Sequence, residues 1–360
     1  MKLTVSTKSL AAALRQLAKV VKKGECPGVL VLPARNELSL TASDPKAGIW
    51  LTLWLRQVDG INAPGESFVL PLEQTLGVLS TVQSPTIEIE VLNASITLRC
   101  HGGEWVLTMV DPATLPPVPA YGGLKTIYSG HAEDVALAIG SVQHAIATGS
   151  ARYTMTGLHL CADKAFLNFV TTDGRRLAIY TLDRSDSNQD GKALIPHQVL
   201  PMLTWSDAAT VMLHVAKSHF VAQWHDEENA SVAKLTCLQL EGNFPDYRAV
   251  VPSSVGVACV HEVESLMSAI RQVQFMGELD RVDVQYTPGK VAVSANSTHG
   301  KAVVEIPCEH SVETSFPVNS KYLLDALAAV EGLTVNLHHT NKGCIILQSD
   351  SLFQMVMLLS

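Results

Sequence analysis

The residue types that could do chemistry come first. Asp44 and Asp173 each close an alternating apolar run, LSLTASD and LNFVTTD, and two carboxylates could divide acid and base work if they met. They hold equivalent places in different segments, so each is expected to be a turn residue far from the other. His338 and His339 near Cys344, and His310 beside Cys308, bring metal-ligating types together without a recognised ligand spacing, so no metal is expected. Seven cysteines, at 26, 100, 161, 237, 259, 308 and 344, include no CxxC pair; the odd total suggests neither a disulfide framework nor a zinc ribbon and fits a reducing cytoplasm. Neither a phosphate loop nor a nucleophile elbow is present. The expectation is a protein with no catalytic residue and no cofactor, a platform rather than an enzyme.

The elements that would carry such a platform alternate in a regular order. Leu3 to Val5 reads as a strand, Ser6 or Ser9 as a cap, and Leu10, Ala13, Leu14, Leu17, Val20 and Val21 as the apolar stripe of a helix from about 8 to 22. GVLVLP, ELSLTASD and GIWLTLWLRQV read as strands, FVLPLEQTLGVLSTV returns to helical spacing, TIEIEV and SITLRC form a hairpin around Asn93, and EWVLTMV is a further strand. The Pro-rich stretch from Asp111 to Pro119 can neither continue a helix nor sit inside a sheet, which makes it a linker. After it the order restarts. A strand at 125–128 and a helix through Val135 and Val142 lead to strands YTMTGLHLC, AFLNFVTTD and RRLAIYTLD, a helix from Pro196 to Trp205, and strands TVMLHVAK and HFVAQWH. A third round runs from helix VESLMSAIRQV through the hairpin VDVQYTPGKVAVSAN, strand KAVVEIPCE and helix SKYLLDALAAV to the hairpin TVNLHHTNKGCIILQS.

Three anchors measure the repeat. Leu10, Val135 and Leu266 are 125 and 131 residues apart; Asp44, Asp173 and Asn296 are 129 and 123 apart; Phe68, Leu194 and Phe316 are 126 and 122 apart. The reading is an α+β chain of three domains, at 1–120, 121–250 and 251–360, each with antiparallel strands backed on one side by two helices. With 47% apolar residues the chain is no disordered segment, and no apolar run approaches a membrane span. The N-terminal stretch is interrupted by polar and basic residues too often to be a signal peptide. The formal net charge of -8 opposes a surface that coats nucleic acid all over. The first helix is the exception, because Lys8, Arg15, Lys19, Lys22 and Lys23 lie in or just after it with no acid among them, a face that could meet phosphates.

ARYTMTGLHL at 151–160, FVTTDGRRLAIYTL at 169–182, EGNFPDYRAVVP at 241–252 and FPVNSKYLLDAL at 316–327 together resemble the bacterial DNA polymerase III β subunit family, the β sliding clamps. The resemblance covers essentially the whole chain. It implies three repeated DNA-clamp domains with sheets outside and two helices each inside, forming half of a closed ring around double-stranded DNA without sequence preference. It implies a head-to-tail homodimer, a cytoplasmic location, no membrane association, and a role in DNA replication as a processivity factor. Partners would be the DNA polymerase, the clamp loader and other replication or repair proteins, attached through short linear peptides.

Carried over by motif, the peptide-binding pocket is Thr172, Gly174, Arg175, Arg176, Leu177, Pro245, Val250, Met355 and Met357, an apolar groove with a few polar rims. TTDGRRLA read alone is equally a hairpin turn with arginines facing water. Arg152, Tyr153, Lys22 and Lys23 match DNA-facing positions, and Arg15, Lys19, Arg271 and Lys321 are added from their helical placement. Trp105, Phe275 and Met276 match the subunit interface, with Trp105 otherwise a core residue of its own domain. The chain departs from the family pattern at Arg175, where histidine is common, at Ala249, where arginine follows FPDYR, and at the tail Met357-Leu-Leu, where MPMRL is common. These departures leave open an accessory clamp with altered partner preference; a three-domain enzyme with a site between repeats is a third reading.

Overall fold

The structure is a computed structural model that describes residues 1–21, 28–61, 64–92, 95–149, 152–185, 189–205, 208–252, 258–277, 280–308, 313–340 and 343–359. Its elements run β1 (Lys2–Ser6), α1 (Thr7–Leu17), β2 (Val29–Ala34), β3 (Glu37–Asp44), β4 (Ile49–Arg56), β5 (Phe68–Leu70), α2 (Leu72–Thr81), β6 (Thr86–Leu92), β7 (Ser95–Cys100) and β8 (Gly103–Thr108). There follow β9 (Lys125–His131), α3 (Ala132–Val142), β10 (Gly157–Asp163), β11 (Phe166–Thr172), β12 (Arg176–Asp183), β13 (Gly191–Pro196), α4 (Leu200–Leu203), β14 (Thr210–Val215), β15 (His219–His225) and β16 (Ser231–Leu238). The last set is β17 (Ala258–Glu262), α5 (Val263–Val273), β18 (Arg281–Thr287), β19 (Lys290–Ser297), β20 (Gly300–Pro307), β21 (Thr314–Asn319), α6 (Ser320–Ala328), β22 (Thr334–Thr340), β23 (Cys344–Ser349) and β24 (Leu352–Met357). The same succession of one strand, a helix, four strands, a helix and three strands therefore occurs three times among the described residues.

The chain divides into two compact units. The first, Met1–Ala136 with Arg184–Gly191 and Gln198–Gln239, holds a four-stranded sheet β1-β6-β7-β8 and an eight-stranded sheet β5-β2-β3-β4-β16-β15-β14-β9. The second, Leu137–Asp183 with Lys192–His197 and Leu240–Ser360, holds an eight-stranded sheet β13-β10-β11-β12-β24-β23-β22-β17 and a four-stranded sheet β20-β19-β18-β21. Neighbouring strands run antiparallel. In each unit the long sheet is made by strands from consecutive rounds of the succession: β4 pairs β16 from Leu53 against Ala233 to Ile49 against Cys237, and β12 pairs β24 from Arg176 against Val356 to Tyr180 against Leu352.

The second unit shows how period-two alternation sorts the core. Val335 and Leu337 of β22, Ile345 and Leu347 of β23, and Val356 of β24 pack with Leu266, Ala269 and Ile270 of α5 and Leu323, Ala326 and Leu327 of α6. Their sequence neighbours Cys344, Ile346 and Met355 point the other way and join Val170, Leu177 and Tyr247 in a separate apolar cluster. Gln354 faces the helices, where its Nε2 donates to the Ala326 carbonyl at 2.7 Å.

Several boundaries differ from expectation. The first helix ends at Leu17 rather than near 22, because the chain tightens: the N–H groups of Lys19 and Val20 turn to the carbonyls of Gln16 and Leu17. Its cap is Ser6, whose hydroxyl accepts from the Ser9 N–H at 3.3 Å. Tyr153–Thr156 is a 3-10 turn, so the strand expected from 153 begins at Gly157. The helix expected from Pro196 to Trp205 reduces to a 3-10 turn at His197–Val199 and one turn at Leu200–Leu203. Asn93 lies outside the described residues.

Candidate functional site

The TTDGRR segment is a turn joining β11 to β12, locked by its own polar atoms. Thr172 Oγ1 accepts from the Gly174 N–H at 3.1 Å and donates to the Arg176 carbonyl at 2.6 Å, while Asp173 Oδ1 accepts from the N–H groups of Arg175 at 2.8 Å and Arg176 at 3.0 Å. Gly174 has φ 88°, a conformation that β-carbon-bearing residues avoid, so the tight reversal requires glycine. Asp173 is thus a turn residue, as Asp44 is in its own loop, where it accepts from the Ala47 N–H at 3.0 Å.

Arg175 and Arg176 take opposite fates. Arg175 is exposed, and its carbonyl accepts from the Met357 N–H at 2.9 Å. The Arg176 guanidinium is nearly buried; it bonds Asp173 at 3.1 Å and Asp325 of α6 at 2.6 Å, and lies 4.4 Å from the Tyr322 ring centroid. Its charge and burial together push His144 down to about 4, with desolvation the larger cause.

Beside this turn, the sheet face away from α5 and α6 carries an apolar floor. Leu177 and Met355 are register partners across β12 and β24, 3% and 7% exposed, and they contact the cluster of Val170, Cys344, Ile346 and Tyr247. The segment 241–252 covers one side. Phe244 and Val251 pack on the floor, the 3-10 turn Tyr247–Ala249 seats Tyr247, and Pro245 is half-buried. His159 of β10 stacks on Phe244 with ring centroids 4.8 Å apart, and burial, then the charge of Lys192, lowers it to about 4. Arg248 reaches over Tyr247 and sits 3.6 Å from Cys161 Sγ. Burial raises the Tyr247 phenol above its ordinary value. Val250, 53% exposed, and Met357, 39% exposed, stand at the rim. Thr172, Gly174, Arg175, Leu177, Pro245, Val250, Met355 and Met357 therefore belong to one neighbourhood of the second unit, whereas Arg176 spends its side chain on holding the turn. Sequence reasoning missed Tyr247, Phe244, His159, Ile346 and Met155, which lies beneath Gly174. FPDYR named the segment but not which of its side chains would turn inward.

The basic residues are divided between the two units. Arg15 on α1 and Lys19 in the turn after it are exposed in the first unit, and Lys22 and Lys23 lie outside the described residues. In the second unit Arg152, Tyr153, Arg271 and Lys321 are exposed, with Arg271 3.4 Å from Glu264 on its own helix. Of the apolar interface residues, Trp105 is half-buried on the edge strand β8, where its ring closes over Gly103. Phe275 is 83% exposed, and its neighbour Met276 packs into the core against α5 and β19. Among the described residues one group of metal-ligating types does converge, Cys259, His261 and Cys308, all buried.

A thrice-repeated α+β succession with an apolar cluster beside a locked turn is a clamp-type architecture. Residues 131–246 match the family model described as the central domain of the DNA polymerase III beta subunit. The "Beta sliding clamp" of Pseudomonas aeruginosa is 22% identical, aligned over 98% of this chain and 97% of its own length; that of Caulobacter vibrioides is 24% identical over 92% and 91%. A crystal structure of the Pseudomonas aeruginosa DNA polymerase sliding clamp superposes with a TM-score of 0.89 over 100% of both chains at 21% identity, and that of Bacillus subtilis gives 0.88 over 100% and 99% at 20%. The chain is thus similar, in its central region to the family model and along nearly its whole length to these curated relatives and structures, to the bacterial DNA polymerase III β subunit family, the β sliding clamps. No helix among the described residues is long and apolar enough to cross a membrane.

Proposed function

We propose that the chain is a sliding clamp: two copies close head to tail into a ring around duplex DNA, and the ring tethers the replicative polymerase without chemistry of its own. The observation that carries this is the alignment with a curated β sliding clamp over 98% of this chain and 97% of that relative. The repeats are 1–120, 121–250 and 251–360, and the open edges β8 and β20 of the two four-stranded sheets are where copies meet. Trp105 and Phe275 are the apolar contacts there, and Met276 supports Phe275 from inside. Arg15, Lys19, Lys22, Lys23, Arg152, Tyr153, Arg271 and Lys321 meet phosphates weakly and without base readout, which suits a protein held on DNA by topology.

The cleft at Leu177, Met355 and Val250 takes an extended peptide with two or three large apolar side chains from a polymerase, a clamp loader or a repair protein. Arg175 and Ala249 at its rim support a shifted peptide preference, since Ala249 offers no charge-assisted contact. The deciding experiment is retention after loading. The protein should stay on nicked circular duplex and leave the same DNA once it is linearised; equal loss from both would defeat the ring. For the cleft, Val250→Glu should lower affinity for a polymerase-tail peptide by at least tenfold, and unchanged binding would exclude this location.

A further inference from the structure

Cys259 and Cys308 lie 49 residues apart in sequence, yet their sulfurs are 2.7 Å apart in the core of the second unit. Cys259 sits on β17, the edge strand of the eight-stranded sheet, and Cys308 directly follows β20, the edge strand of the four-stranded sheet. Both are buried. Two unbonded heavy atoms rest at roughly 3.5–4 Å, and two thiolates on one tetrahedral zinc, each about 2.3 Å from the metal, would be close to that range. The observed separation is shorter than either and nearer to the ~2.05 Å of a disulfide bond. His261, the remaining metal-ligating side chain, has its Nε2 2.6 Å from the Tyr286 hydroxyl and is already hydrogen-bonded.

We propose that Cys259 and Cys308 form a reversible redox pair whose disulfide staples β17 to the end of β20. The oxidant is a small peroxide able to reach a buried thiol. One cysteine sulfur attacks a peroxide oxygen, the S–O bond forms as the O–O bond breaks, and the first water carries away the thiol proton. The second sulfur then displaces the sulfenic oxygen, the S–S bond forms as S–O breaks, and a second water leaves with the other proton. Burial pushes the Cys259 thiol up to about 12, so closure is slow and demands sustained oxidant. Elsewhere Cys161 meets Arg248, and Cys344 meets Thr340.

The test uses the unmodified full chain. It is exposed to graded hydrogen peroxide, quenched, unfolded, alkylated and digested without reductant. The expected product is one disulfide-linked peptide pair joining Cys259 to Cys308, with free thiols falling from seven to five and returning with dithiothreitol. Cys259→Ser should leave Cys308 alkylated under the same treatment. Alkylation of both positions while other cysteines oxidise would overturn the pair, and so would one zinc per chain retained through dialysis and lost in Cys259→Ser.

Discussion

His159 and His144 are held neutral by burial, each at about 4, while the unfolded chain titrates near the ordinary 6.5. Between those values the unfolded state binds more protons, so stability is full above about 6.5 and falls as pH drops toward 4, by about 1–3 kcal/mol for each group. His159→Gln should flatten this loss in urea titrations at pH 4.5 compared with 7.5; an unchanged pH dependence would remove His159 from the account. Arg176 makes a different prediction. Arg176→Ala leaves Asp173 and Asp325 without their shared cation and should cost about 2 kcal/mol in the same titrations. Arg176→Lys should recover only part, because a point charge cannot bridge two carboxylates and cover Tyr322 together. The turn around Asp173 was legible, since Thr-Asp-Gly reads as a reversal on its own. The role of Arg176 was not, because its partner Asp325 is 149 residues away and nothing local announces it.

At the scale of elements, hairpins were the most readable part, because strict alternation and a turn dipeptide such as Pro288-Gly289 are local signals. The strands that escaped notice, β5, β13, β16, β17, β21 and β24, include β16 and β24, through which one round of the repeat joins the next. Each has a partner distant in sequence, and its apolar content follows from a sheet that exists only after folding. The helix Pro196 to Trp205 shortened because Pro201, which has no N–H to give, fits only the first turn of an α-helix and so sets its start at Leu200. β24 lies between β12 and β23, so Phe353→Pro removes an inner ladder donor and should destabilise the second unit by about 3 kcal/mol. Leu177→Ala should cost about 2–4 kcal/mol and weaken peptide binding, whereas Val250→Ala, at the exposed rim, should leave stability within about 0.5 kcal/mol and still weaken the peptide. Chemical denaturation and peptide titration separate the two effects, and equal destabilisation by both changes would contradict the floor and rim assignments.

For the whole molecule, the repeated helices do not share the first one's charge. α1 carries Lys8 and Arg15 with no acid, α3 carries Glu133 and Asp134 with no base, and α5 balances Glu264 against Arg271. Basic content concentrated in one round of three predicts few phosphate contacts, and hence weak DNA binding whose affinity falls only shallowly with salt. Sedimentation should give a mass near twice 38.7 kDa, and Phe275→Asp should shift it to that of one chain; an undiminished mass would reassign Phe275 to an ordinary surface.

The sheets themselves impose a counting rule. Each internal junction joins two four-strand sets into eight while the sheets β1-β6-β7-β8 and β20-β19-β18-β21 stay at four, so in the proposed ring every copy offers two unfilled valences of unlike kind, β8 and β20. Blocking one kind in one population and the other kind in a second would leave a single productive joint between them. Mixed, the two populations should yield an open, terminated pair that can neither grow nor close.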